Sequence, residues 1–208
     1  MNEISRPSHF FGPDGAPAPR PTTQAADGVP RLRWTLEEFE RLADIGILAE
    51  HDRIELIGGE LIPMAPKGNR HENVRSELMN RLFRHLPDGS RIHAELGWRP
   101  GGGTYLEPDL LVARAGGAAS ETPVDQVQLV IEIAHTSLAY DTGLKARTYA
   151  ALGAHEYWVV NAMTLETRVF REPGASGYAN MADVALDETL TPHLAPELAL
   201  RLGELRLG

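Results

Sequence analysis

The chain has 208 residues, a length that suits one domain with some to spare. Its 42% hydrophobic and 24% charged residues are ordinary for a soluble globular protein, and the absence of cysteine excludes disulfides and thiolate metal sites. A net charge of −9 argues against coating nucleic acid over the whole surface; it leaves room for a local basic groove, or for acids neutralised by a metal. No apolar run is long enough to span a bilayer, and "MNEISRPSHFFGPDGAPAPRP" lacks the apolar centre of a signal peptide. A cytoplasmic protein without membrane partners is therefore expected.

Residues 1–30 are rich in Pro, Gly, Ala and Thr and carry little periodicity, which predicts a flexible extension ahead of one domain over 31–208. In "WTLEEFERLADIG", Thr35 is placed to cap a helix whose apolar stripe is Leu36, Phe39 and Leu42. "RIELIGGELIPM" alternates around Gly58-Gly59, the pattern of a hairpin with a two-residue turn. Val74, Leu78, Leu82 and Leu86 recur every fourth residue, with Met79 and Phe83 beside them, in an amphipathic helix that Pro87 ends. "RIHAELGWRP" reads as one strand and, after the glycine loop 101–103, "TYLEPDLLVAR" as a strand with Pro108 at its start or at a bulge. That loop is no phosphate cradle, since neither Lys-Ser/Thr nor a helix start follows.

"VQLVIEIA" is the most strand-like run in the chain. Asp141 can cap the helix "TGLKARTYAALG", with Gly153 at its end. "HEYWVVN" and "ETRVFRE" are two further strands, in which Tyr157 and Trp158 read as core or interface aromatics. The tail adds one or two short strands. Strands and helices mix without strict alternation, so the fold class is α/β of the mixed α+β kind.

Glu132 is the anomaly. Strand alternation puts Leu129, Ile131 and Ile133 on one face and Val130, Glu132 and Ala134 on the other. An unpaired buried carboxylate is very costly, so Glu132 needs a cation, a proton or open water. An edge-strand acid facing solvent is the plain alternative. Asp109, after Pro108 and before "LLV", lies at the mouth of a neighbouring strand. Two such acids can share one hard divalent cation, Mg²⁺ being the type that keeps several waters and leaves room for phosphate. Lys145, in the second turn of the following helix if Asp141 is the cap, can lean back toward the strand end. From position alone it would be a solvated helix lysine.

"EPDLLVA" followed by "LVIEIAHTSLAYDTGLKARTYAALGAHEYWVVN" resembles the Uma-two family of restriction-endonuclease-like proteins, within the PD-(D/E)XK nuclease superfamily. The likeness runs from about Trp34 to the C-terminus and includes "RIELIGGELIPMAPKGNRH". It implies a restriction-endonuclease-like core, a central mixed sheet flanked by helices. It also implies an Mg²⁺ (or Mn²⁺) site on Asp109 and Glu132, joined by the Ile133 carbonyl, and DNA as substrate. The superfamily lysine would fall at 134, where this chain has Ala134; Lys145 matches the family's shifted, helix-borne position. The family's fold often pairs through sheet edges or helices, so a homodimer fits.

Asp141 matches a family acid, though capping suffices to explain it. His71, at the start of the long helix, and Glu95, on the strand before Asp109, are additional site candidates. The superfamily often carries another acid on its first core helix, where Glu72 and Glu77 stand, though both read better as a solvated helix face; His135 reads as a solvated strand-end residue, with substrate contact as its alternative. The expected activity is metal-dependent DNA endonuclease. The alternative is a catalytically inactive nuclease-like scaffold that binds nucleic acid or a protein partner.

Overall fold

The computed structural model describes residues 22–24, 29–49 and 52–207. The N-terminal extension expected over 1–30 lies outside these, apart from residues 22–24, 29 and 30. In that part β1 (Thr22–Gln24) pairs antiparallel with β2 (Pro30–Leu32).

Helix α1 (Leu36–Asp44) opens on a capping box: Thr35 accepts from the Glu38 N–H at 3.2 Å and its own N–H donates to Glu38 Oε2 at 3.0 Å. The expected hairpin follows as β3 (Ile54–Ile57) and β4 (Glu60–Pro63). Gly58 and Gly59 take positive φ angles of 61° and 84°, the conformation a two-residue turn of this kind demands. This hairpin joins β6 (Trp98–Gly101) and β7 (Thr104–Leu106) in a four-stranded sheet, order β4-β3-β7-β6.

The central sheet has six strands. It runs β12-β11-β10-β9-β8-β5, with β5 at Ser90–Ala94, β8 at Leu110–Arg114, β9 at Val127–Ala134, β10 at Glu156–Asn161, β11 at Thr167–Gly174 and β12 at Gly177–Val184. Only β9 and β10 pair in parallel, as strands joined by a helical crossover must; the other pairs are antiparallel.

Helices cover both faces. The long helix α2 (Asn69–Phe83) buries Val74, Leu78 and Leu82 against Leu110, Leu129 and Ile131. Each of those three burials contributes about 1.5–3 kcal/mol. Opposite, α4 (Ala146–Leu152) packs Ala146, Tyr149 and Ala150 against Leu111, Val130 and Tyr157. Gly153 ends it in the left-handed region at φ 89°. Tyr157 and Trp158 are both buried, on opposite faces of β10.

Four sequence expectations are corrected. "RIHAELGWRP" is two strands, because the chain leaves the central sheet at Glu95, whose φ is 51°, and enters the smaller one at Trp98. "TYLEPDLLVAR" is likewise two strands, because "TYL" belongs to the smaller sheet; β8 begins just after Pro108, one of the two places expected for that proline, which lacks the N–H to continue a ladder. Phe83, expected beside the apolar stripe of α2, is mostly exposed, since it falls on the last turn and off the packed face. Asp141 is not an N-cap. Helical structure already begins at α3 (Leu138–Tyr140), and Asp141–Lys145 continues it as one π-helical turn into α4.

Candidate active site

The register of β8 and β9 explains the first contact. Leu110 pairs with Ile131 and Leu111 with Val130, so the same register sets Asp109 against Glu132. Opposed residues in an antiparallel pair share a face. Leu110 and Ile131 point to the α2 side, which sends Glu132 to the α4 side, while Asp109, just ahead of β8, turns to the Ile133 N–H and to His71 at the start of α2. Glu132 is not an edge acid, for β9 has β8 on one flank and β10 on the other.

Lys145 reaches it from the helix. Its Nζ lies 2.8 Å from Glu132 Oε1 and 3.0 Å from Glu55 Oε1, and all three residues are buried. Tyr149, one helical turn on, donates to the same Glu132 oxygen at 2.9 Å. Lys145 and Asp141 are the buried residues of the π-helical turn, and such turns are frequent at functional sites. Asp141 is buried beside it, accepting from Ser137 Oγ at 2.5 Å.

Asp109 has a separate set of partners. Its Oδ2 accepts from the Ile133 N–H at 2.8 Å and meets His71 Nε2 at 2.9 Å. Its Oδ1 forms an ion pair with Lys67 at 2.6 Å, and Lys67 also meets Glu95 Oε1 at 2.5 Å. His71 is held at its other nitrogen by Glu72 Oε1 at 3.2 Å. Glu72, expected to be solvated, is therefore a half-buried prop that also binds Arg75. Glu95 pairs with Arg75 as well, at 3.3 Å.

Asp109, Glu132, Ile133, His71 and Lys145 all line one cleft of about 250 Å³, with the exposed His135 at its rim. The Glu95 side chain does not line this cleft but binds Lys67, which does. Glu77 takes no part in these contacts and is half-buried on α2.

Two residues with a place here escaped the sequence reading. Glu55 accepts from Tyr140 Oη at 3.0 Å and from the Glu107 N–H at 3.0 Å, besides binding Lys145. An acid inside "RIELI" was the available signal, of the same kind as Glu132 in β9. Both faces of that short strand carry isoleucine or leucine, so alternation did not isolate it. Lys67 lies in a loop, where no periodicity marks a buried side chain.

The electrostatics follow from the count of charges. Burial would raise Asp109, but the His71 hydrogen bond and the Lys67 charge outweigh it and hold the carboxyl well below its usual range. Burial pushes Glu132 up. Lys145 opposes that, but Asp109, Asp141 and Glu55 add to it. Burial would lower Lys145, yet Glu132, Glu55 and Asp141 hold it firmly in the charged form. Asp141 is raised to about 6, by burial first and against the pull of Lys145.

Comparison with known proteins gives this geometry a context. The model of the Uma2 (Uma-two) family, described as "Putative restriction endonuclease", matches residues 36–203. The chain belongs to the Uma2 family. Its restriction-endonuclease-like core agrees with a solved structure, that of a "putative nuclease belonging to DUF820" from Anabaena variabilis ATCC 29413. The two are 19% identical, with a TM-score of 0.61 over 82% of this chain and 96% of that one. No curated protein matches the chain. Among the described residues of this Uma2 chain no helix is long and apolar enough to cross a membrane.

The donor set can be tested against the Mg²⁺ or Mn²⁺ that the family's chemistry implies. Among the described residues no three His, Asp or Glu side chains gather into a metal cluster. Magnesium does not require one, for it keeps several waters and takes one or two carboxylates. Asp109 and Glu132 supply two hard oxygen donors in one cleft, and the acids nearby outnumber the ammonium groups. These residues fit a hydrated divalent cation.

Proposed function

We propose that this Uma2 chain is a metal-dependent endonuclease that hydrolyses DNA phosphodiester bonds. The observation that carries the reading is the meeting of Asp109, Glu132 and Lys145 around one cleft, delivered by two paired strands and the following helix. Asp109 and Glu132 would hold Mg²⁺ or Mn²⁺, with the Ile133 carbonyl as a further oxygen. When bound, such a cation supplies Lewis acidity toward the phosphate and a more acidic water.

The chain's own groups do the rest. His71 and the Ile133 N–H fix Asp109, so its orientation is set before substrate arrives. Tyr149 and Lys145 do the same for Glu132. An ammonium has three N–H donors, and Glu132 and Glu55 take two of them. The third can meet a phosphate oxygen or the attacking water. Charge that builds on the phosphoryl oxygens then meets a fixed cation in a largely buried site, where such stabilisation is strongest.

The test is cleavage of supercoiled plasmid and of single-stranded DNA with Mg²⁺ or Mn²⁺. Wild type should cleave only with the metal, and Asp109→Asn and Lys145→Ala should each fall by about 10²–10³. Equal cleavage by all three proteins would contradict the reading.

A second reading, an inactive scaffold that binds nucleic acid or a partner protein, draws support from Ala134 in the usual lysine position. Calorimetry separates the two: no Mg²⁺ or Mn²⁺ binding that depends on Asp109 and Glu132 would favour the scaffold.

A further inference from the structure

Lys67 is an unusual loop lysine. It lies in the stretch 64–68 between β4 and α2, yet its side chain is only 12% exposed. Lysine is almost never buried unless it is paired. Its Nζ bridges two acids, at 2.6 Å from Asp109 Oδ1 and 2.5 Å from Glu95 Oε1.

Both acids are held toward that point by other groups. Asp109 Oδ1 is buried, and the Lys67 ammonium meets it at 2.6 Å as a short, charge-assisted contact. Glu95 sits at φ 51°, a conformation that costs energy in any residue but glycine and that clusters at ligand clamps. Its N–H donates to the Asp109 carbonyl oxygen at 3.3 Å, and Arg75 holds its other carboxylate oxygen at 3.3 Å. Two acids on adjoining chain segments thus face one cation.

We propose that Lys67 is an internal counter-cation seated between Asp109 and Glu95, and that a divalent cation must displace it to bind Asp109. The inference rests on the metal reading above and adds to it a competitor and a further oxygen donor, Glu95. Magnesium takes its oxygens at about 2.0–2.1 Å, and an ammonium on the same oxygen would set two positive charges nearly in contact. Lysine suits an exchangeable role because its charge sits at the end of a flexible four-carbon stem. Displacement also frees Glu95 to face the cation in place of the ammonium. If Lys67 were instead a clamp that only fastens its loop to the sheet, its removal would leave metal affinity unchanged.

The experiment is Mn²⁺ titration of the full chain, read as free Mn²⁺ by electron paramagnetic resonance. Lys67→Met removes the charge and keeps much of the length. It should bind Mn²⁺ about tenfold or more tightly than wild type, the scale of one nearby competing charge. Lys67→Met should also melt below wild type without Mn²⁺ and recover when Mn²⁺ is added. Adding Glu95→Gln to Lys67→Met should cancel the gain in affinity. Lys67→Arg keeps the charge, so it should bind no tighter than wild type, and tighter binding by it would overturn the competition. Equal affinity of wild type and Lys67→Met would also overturn it, while leaving the metal site itself standing. Absence of Asp109-dependent binding in both proteins would overturn the competition together with the metal reading.

Discussion

Lys145 shows how one side chain can be structural and chemical at once. It is buried between Glu132 and Glu55, and neither acid has another cation within ion-pair distance among the described residues. Lys145→Met should therefore destabilise the fold by about 3–5 kcal/mol, because it leaves buried charge uncompensated. Urea unfolding measures this; adding Glu132→Gln to Lys145→Met should recover part of the loss. Asp141 offers a separate test through pH. Its carboxyl is raised to about 6 from the ordinary 3.8, so the folded state binds that proton more tightly than the unfolded chain does. The stability it gives is fully present below about pH 3.8 and is lost as pH rises through 6. The difference corresponds to about 3 kcal/mol. Asp141→Asn should match wild type near pH 4 and exceed it by up to about that amount at pH 8. Urea midpoints at the two pH values decide; a variant no more stable than wild type at pH 8 would refute the assignment.

At the scale of elements, legibility depended on whether a local signal was sufficient. The hairpin of β3 and β4 was legible because Gly58-Gly59 stood between alternating runs. Helix α2 was legible from Val74, Leu78 and Leu82. The end of α4 was legible from Gly153, and it carries its own prediction. A Cβ at Gly153 would meet nothing within 4 Å, so only its φ of 89° opposes substitution. Gly153→Ala should cost about 1 kcal/mol, and Gly153→Asn less, as read by thermal unfolding. The strands on either side of the glycine loop 101–103 were not legible as four pieces. Alternation records which side of a strand faces the core, and it says nothing about which sheet the strand belongs to. The left-handed turn at Glu95 and the break at Pro108 make that division. The break also leaves Asp109 just ahead of β8, where its side chain meets Ile133, His71 and Lys67.

At the scale of the molecule, the chain is a six-stranded mixed sheet between α2 on one face and α3–α4 on the other, with a smaller sheet packed near the site. The core depends on the first of these contacts. Leu78→Ala should cost about 2–5 kcal/mol by urea unfolding, being a fully buried leucine between α2 and the sheet. The candidate site stands where the smaller sheet meets the larger one. Glu55 comes from β3, Glu132 from β9 and Lys145 from the helical crossover. Half of this was open to sequence reasoning: an acid in an apolar strand demands a partner, and the helix after it carries the nearest plausible cation. Glu55 carried the same signal but its partner Lys145 is distant in sequence, and Lys67 lies in a loop whose partners Asp109 and Glu95 only the fold brings near. In the proposed mechanism Asp109 and Glu132 share one divalent cation in the cleft beside Lys145. Anomalous X-ray scattering from crystals grown with Mn²⁺ tests it most directly. The expected result is one strong peak in contact with carboxylate oxygens of both Asp109 and Glu132. A peak that touches neither acid, or none at millimolar Mn²⁺, would contradict it.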